Sequence, residues 1–208
     1  MLSFHTLILF IGASAALALS PGPDNIFVLT QSAMHGKKAG ILVTLGLCTG
    51  LIVHILAVVV GVATLLQTSA FAFTALKIAG ALYLLYLAYQ AFRAGNTALG
   101  GDSTPILSAK ALYGRGIIMN ITNPKVAIFF LAFLPQFADP SRGAVWAQIL
   151  LLGVIFMGVA LLIFSMIAWS ASYLGNYLKR AKHAQSIINK LAGTVFVLLA
   201  CRLLLSKA

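Results

Sequence analysis

The chain contains no glutamate, and its acidic side chains are three aspartates, Asp24, Asp102 and Asp139. Paired carboxylates for acid and base work, or a full set of hard-metal ligands, have almost nothing to be built from. The apolar runs also hold no HExxH helix and no credible Ser-His-Asp set, so an enzyme is not expected, nor a cofactor. Cysteine is equally scarce: Cys48 and Cys201 stand far apart inside apolar stretches without CxxC spacing, and read as packing residues instead of a disulfide or metal pair. Long polar stretches are missing too. Charged residues make up 8% and hydrophobic ones 61%, at a mean hydropathy of +1.03, more apolar surface than 208 residues could bury in a soluble core. The lipid bilayer must therefore act as part of the solvent. A formal charge of +11 would suggest nucleic acid in a polar protein, but here the basic residues fall in gaps between apolar runs, so no nucleic-acid partner is expected.

Apolar runs of membrane-spanning length cover 4–34, 39–66, 71–92, 116–137, 145–174 and 187–205, predicting six transmembrane helices in one all-α domain over 1–208. The first run has no preceding Lys or Arg, so it reads as a retained span and not as a cleaved signal. Lys37 and Lys38 follow the first span, Arg93, Lys110 and Arg115 the third, and Lys179, Arg180, Lys182 and Lys190 the fifth. The positive-inside rule makes these connections cytoplasmic and leaves both termini outside. Lys77, Arg202 and Lys207 then fall near outer helix ends, where they can snorkel. Six spans divide into two sets of three, about 1–92 and 116–208, joined by a cytoplasmic connection over about 93–115. Related halves with an odd number of spans each would be inverted repeats. Pro23-Asp24-Asn25-Ile26 overlays on Pro124-Lys125-Val126-Ala127, with Gly40 and Gly50 close to register with Gly143 and Gly153.

Two predicted spans, the first and fourth, cannot be continuous helices. Ser20-Pro21-Gly22-Pro23-Asp24-Asn25 removes two backbone donors within three residues, and Thr122-Asn123-Pro124-Lys125 breaks the fourth run. Counting about 1.5 Å per residue places these breaks roughly 20 Å and 10 Å from the flanking basic residues, so they can approach one another near the midplane. Asn123 suits an N-cap and Pro124 the first helical position, with Gly22 and Pro23 in the same roles. Asp24 in a first turn is favoured by the helix dipole even without a ligand. Lys125 in the same place opposes the dipole and must leave water, so an anionic partner is expected. Facing each other, Asp24 and Lys125 would suit a zwitterion: half-helix N–H groups and Lys125 for a carboxylate, Asp24 for an ammonium, and unwound backbone at Gly22 and Asn123 for the rest. Asp24, as the isolated carboxylate of the spans, is also the candidate to carry an exchanged proton. His54 lies inside the second span, to line the cavity or to pack as a hydrogen-bonded residue. Gln31, Thr44, Thr49 and Tyr83 are weaker candidates, while His5, His35 and His183 sit near span ends.

The Ser-Pro-Gly-Pro-Asp string at Ser20 to Asp24, Gly36-Lys37-Lys38-Ala39-Gly40, Ala79-Gly80-Ala81-Leu82-Tyr83-Leu84 and Thr122-Asn123-Pro124-Lys125 together resemble the LysE/RhtB family of bacterial amino-acid exporters, across essentially the whole chain. The resemblance implies efflux of amino acids such as homoserine, threonine, leucine or basic residues across a bacterial inner membrane, by exchange for protons. It assigns the site to Pro21, Gly22, Pro23, Asp24, Asn123, Pro124 and Lys125, to which the residue reading adds Asn25 and His54. A basic substrate would want a second buried carboxylate, so neutral amino acids are favoured. A transition-metal exporter would have only Asp24 and His54 to start from. A passive channel is the remaining rival. Gly46 and Gly50 permit close helix packing, inside the monomer or in a homo-oligomer.

Overall fold

The computed structural model describes residues 2–68, 70–93, 107–178 and 182–205. Asp102 and most of the 93–115 connection, Ser69 of the second gap, Lys179, Arg180 and Lys207 lie outside the described residues, as do the side chains of Lys77, Lys182, His183 and Arg202. Helices are α1 (Phe4–Leu19), α2 (Pro23–His35), α3 (Lys37–Thr68), α4 (Ala70–Arg93), α5 (Ala109–Ile121), α6 (Pro124–Ile128), α7 (Val145–Leu178) and α8 (Lys182–Leu205). Among the described residues there is no strand.

Two uninterrupted helices have the length and apolarity of membrane spans, Lys37–Gly61 and Val145–Tyr173. Two bent pairs would add one span each, α1 with α2 at 61° and α5 with the segment Pro124–Phe137 at 49°. The described residues thus carry two to four candidate spans. Both bends fall at the predicted breaks, and the local chemistry accounts for them. Ser20 closes α1 before Pro21; Gly22 caps α2 with Pro23 in its first turn. Asn123 accepts a hydrogen bond from the Lys125 amide at 3.0 Å, and Pro124 opens α6. Gly36 ends α2 at φ 83°, a left-handed conformation that glycine adopts without steric cost.

Sequence and structure differ in three places. α5 starts at Ala109, where Ser108 caps it, not at Gly116, so Lys110 and Arg115 ride on the helix and the break lies 13 residues in. Beyond α6 the chain does not resume a regular helix: Phe129–Phe133 forms a π turn and Leu134–Phe137 a 3-10 turn containing Pro135. The glycine overlay also lacks a common structural role. Gly40 sits in α3 against Ser32 and Ala168, whereas Gly143 is a loop residue at φ 120°; Gly50 faces Asn120, whereas Gly153 faces Ile55.

The core forms where both bent pairs meet α3 and α7. α3 packs on α5 and α7, α2 packs on α3 and α7, α1 on α7 and α8, and α4 on α8 and the π turn. Phe129, Phe130, Phe133 and Phe137 stack with Phe10 of α1 and Phe156 of α7, at ring separations of 4.9–6.3 Å. The α3–α5 contact is made backbone to backbone: a Cβ on Gly46 would collide with the Tyr113 carbonyl oxygen, and one on Gly116 would meet the Val43 oxygen at 2.5 Å. The Gly46–Gly50 face is therefore used within the monomer. Neither carbonyl can yield, since each belongs to a packed helix. Gly46→Val should destabilise the protein by about 3 kcal/mol or more, the upper end of overpacking costs. Gly114→Ala, with nothing within 4 Å of the added methyl, should leave thermal unfolding in detergent unchanged or raised.

The connection between the 3-10 turn and α7 is ordered by Asp139. Its Oδ1 accepts from the Ser141 hydroxyl at 2.6 Å and amide at 2.9 Å, and Oδ2 from Arg142 at 3.1 Å, an exposed ion pair. The Ser141 hydrogen bonds hold this carboxyl below the usual carboxylate range. Gln148 clamps the loop from α7, accepting from the Asp139 amide and donating to the Asp139 and Gly143 carbonyls.

Candidate functional site

A proline inside a helix strands the carbonyl four residues before it, and inside a bilayer such a group must find another donor. Pro21 strands the Leu17 carbonyl, and the Lys125 Nζ donates to it at 3.1 Å. The same ammonium donates to the Ser20 carbonyl at 2.9 Å, and Asn25 Nδ2 donates to Ala18 O at 2.6 Å. Three carbonyls at the end of α1 are thus satisfied by side chains from beyond the break. Gly22 makes room for this, because a Cβ there would lie 3.1 Å from Lys125 Nζ. At the second break Pro124 strands the Asn120 carbonyl. His54 Nε2 reaches it from α3 at 3.1 Å, and since a carbonyl only accepts, Nε2 carries the proton; the Asn123 amide adds a 3.0 Å bond.

Lys125 therefore finds its partner in a different form from the one expected of it. It makes no ion pair with Asp24, and its 6% exposed side chain lies instead on the carbonyl end of α1, the negative pole of a helix dipole. Two of its three donors are used there, leaving one. Asp24 is 2% exposed, and its Oδ1 is buried with no hydrogen-bond partner. Lys125 and His54 act on its carboxylate through charge, and the side-chain amides of Asn123 and Asn120 through hydrogen bonding. Asp24 and Lys125 line one cavity of about 10 Å³, together with Leu17, Leu51, Asn120 and Phe156. That is room for about one water.

The other expected site residues are placed around this cavity and not on its wall. Pro23 and Pro124 face outward, and Pro21, Gly22, Asn25 and Asn123 shape and cap the breaks. His54 holds the second break through Asn120. Gln31 is buried with an unpartnered Oε1; Thr44 bonds the Gly40 carbonyl of its own helix, Thr49 pairs with the Tyr113 hydroxyl, and Tyr83 stacks near Tyr86. Asn120 is the wall residue that the sequence reading missed. Its signal was present: an amide four residues before Pro124, on the carbonyl that this proline strands. Among the described residues, no three of His, Cys, Asp and Glu come together as metal ligands would.

The profile of the LysE type translocator family matches residues 15–207. The chain belongs to this family. A homoserine/homoserine lactone efflux protein of Salmonella typhimurium is 35% identical to it over 202 residues, 97% of each chain. A leucine efflux protein of Enterobacter sp. is 31% identical over 191 residues, 90% of this chain and 89% of the relative. An uncharacterized membrane protein of Vibrio cholerae is 32% identical over 208 residues, 100% of this chain and 99% of the relative. No solved structure matches. As a LysE type translocator the chain is a membrane transport protein, not an enzyme.

Proposed function

We propose that this LysE type translocator exports neutral amino acids of the homoserine, threonine or branched-chain kind from a bacterial cytoplasm, across the inner membrane, in exchange for protons. The observation that carries the reading is the buried pair of opposite charges, Asp24 and Lys125, each in the first turn of a half-helix and both on one cavity wall. A zwitterion is the ligand that answers both charges. The relatives named for homoserine and leucine efflux point to the same chemistry. Asp24 is the acidic side chain of the spans, which favours neutral over basic substrates, and a transition-metal cargo would find no third ligand among the described residues.

In this reading α4 and α8, 24 residues each, complete six spans, and the halves are inverted repeats. The packing pattern supports that: exchanging the halves turns the α3–α5 contact into the contact of α7 with the first bent pair, and α1–α8 into that of the second bent pair with α4. The α3–α7 and α4–α8 contacts map onto themselves. Lys37, Lys38 and Arg115 face the cytoplasm, as positive-inside charges. A cavity of about 10 Å³ admits no amino acid, so the conformation corresponds to a closed step of alternating access.

The test is efflux of a panel of amino acids from cells expressing the chain, followed by counterflow in proteoliposomes. Neutral amino acids should leave faster than from control cells, and internal substrate should accelerate uptake of label. Efflux confined to lysine and arginine, or flux without trans-acceleration, would replace this reading with a basic-residue exporter or a channel.

A further inference from the structure

Two of the residues that line the cavity, Asp24 and Asn120, each carry a buried Oδ1 without a hydrogen-bond partner. Asn120 is 2% exposed and its side chain packs into the space left by Gly50 of α3: a Cβ there would meet Asn120 Oδ1 at 3.0 Å and Cβ at 2.8 Å. Its backbone is fixed as well, by His54 and the Asn123 amide on its carbonyl. Buried polar atoms are nearly always paired, so bare acceptors on two residues of one cavity mark the place of a donor.

The first break shows what such a donor looks like. There an ammonium from the opposing half-helix, that of Lys125, rests on the carbonyl end of α1. At the second break the stranded carbonyl is met by His54 from α3, and the opposing half-helix presents the carboxylate of Asp24 at the position where Lys125 stands in the other half. We propose that Asn120 is a substrate-recognition residue: the α-ammonium of the substrate enters beside the cavity-lining Asp24 and Asn120 and donates to the unpartnered Oδ1 of each. This rests on the amino-acid export proposed above. Asp24 supplies charge to the ammonium, and Asn120 counts its N–H groups. The subsite therefore prefers a primary ammonium, with three donors, over a tertiary one with a single donor.

The experiment is a cycle between protein and substrate. Counterflow in proteoliposomes gives KM for leucine, or for whichever panel amino acid exchanges fastest, and for its N,N-dimethyl derivative, in the wild type and in Asn120→Ala. The wild type should prefer the primary amine by about tenfold or more, and Asn120→Ala should erase most of that preference by weakening the primary amine alone, as expected for a lost hydrogen bond to a charged group. Asn120→Asp, which keeps the shape and strengthens the acceptor, should retain the preference. Equal shifts of both KM values in Asn120→Ala, or loss of the preference in Asn120→Asp, would overturn the assignment while leaving export intact. A wild type that exchanges no amino acid would overturn the export reading itself.

Discussion

Lys125→Met should destabilise the protein by about 3–5 kcal/mol, the range for breaking a buried charged contact from one side, and should lower transport by about 100-fold. Methionine keeps the length and apolar stem of the lysine but donates nothing. The Leu17 and Ser20 carbonyls, 3.1 and 2.9 Å from the ammonium, would be left unpaired at a helix end that Pro21 and Pro23 prevent from continuing. The link is also a bridge between the two bent pairs, since the ammonium comes from α6 and the carbonyls from α1. In the proposed function a substrate carboxylate would draw the ammonium away from those carbonyls, which would couple binding to the seating of α1. Thermal unfolding in detergent and counterflow on the same preparation measure both effects. A variant as stable as the wild type would mean that water or another side chain caps α1, and the bridge would lose its importance. Lys125→Arg should not restore transport, because a planar guanidinium does not reproduce the compact ammonium that meets the Leu17 and Ser20 carbonyls together at 3.1 and 2.9 Å.

The helix breaks were legible because proline, glycine and asparagine act locally: Pro21, Pro23 and Pro124 dictate where hydrogen bonds stop, and Gly22 and Asn123 where they resume. The carbonyls stranded by Pro21 and Pro124 could have been counted from the sequence, but not the donors that reach them. Lys125 meets Leu17 across 108 residues and His54 meets Asn120 across 66, and only tertiary packing brings them together. The physics behind the Lys125 expectation was sound, since a buried cation does find negative potential: the end of a helix supplies it through hydrogen bonds and Asp24 through charge, without an ion pair. Asn120 was overlooked because a single amide carries no period. The start of α5 was missed for a related reason: reading for hydrophobicity stops at Arg115 and passes over Ser108, whose capping hydrogen bond sets the true boundary. The π turn at Phe129–Phe133 has no counterpart in the sequence beyond a dense run of phenylalanine. For Gly46 and Gly50 the sequence announced a close approach, and packing against α5 decided its partner.

Asp24→Asn should lose uphill export completely yet leave stability within about 1 kcal/mol of the wild type, or raised, the reverse of the stability cost at Lys125. The asymmetry follows from what each side chain touches. Lys125 donates two hydrogen bonds that its removal would break, whereas Asp24 Oδ1 makes none, and the oxygen of an asparagine can still accept from the Asn123 and Asn120 amides, so a neutral amide forfeits little and escapes the cost of a buried charge. Lys125 does not lose its hold either, since the carbonyl end of α1 and not Asp24 anchors it. The function lost is the one that needs a group able to be charged or neutral: an amide cannot carry a proton against the substrate, nor balance an ammonium. In proteoliposomes with an imposed pH gradient, the wild type should accumulate a neutral amino acid and Asp24→Asn should not, while any residual exchange should be weaker and indifferent to pH. Uphill transport surviving in Asp24→Asn would remove Asp24 from the coupling step. A loss of about 3–5 kcal/mol in stability would instead make Asp24 the structural partner of Lys125, and the unpartnered oxygen of this cavity-lining residue would no longer mark a binding site.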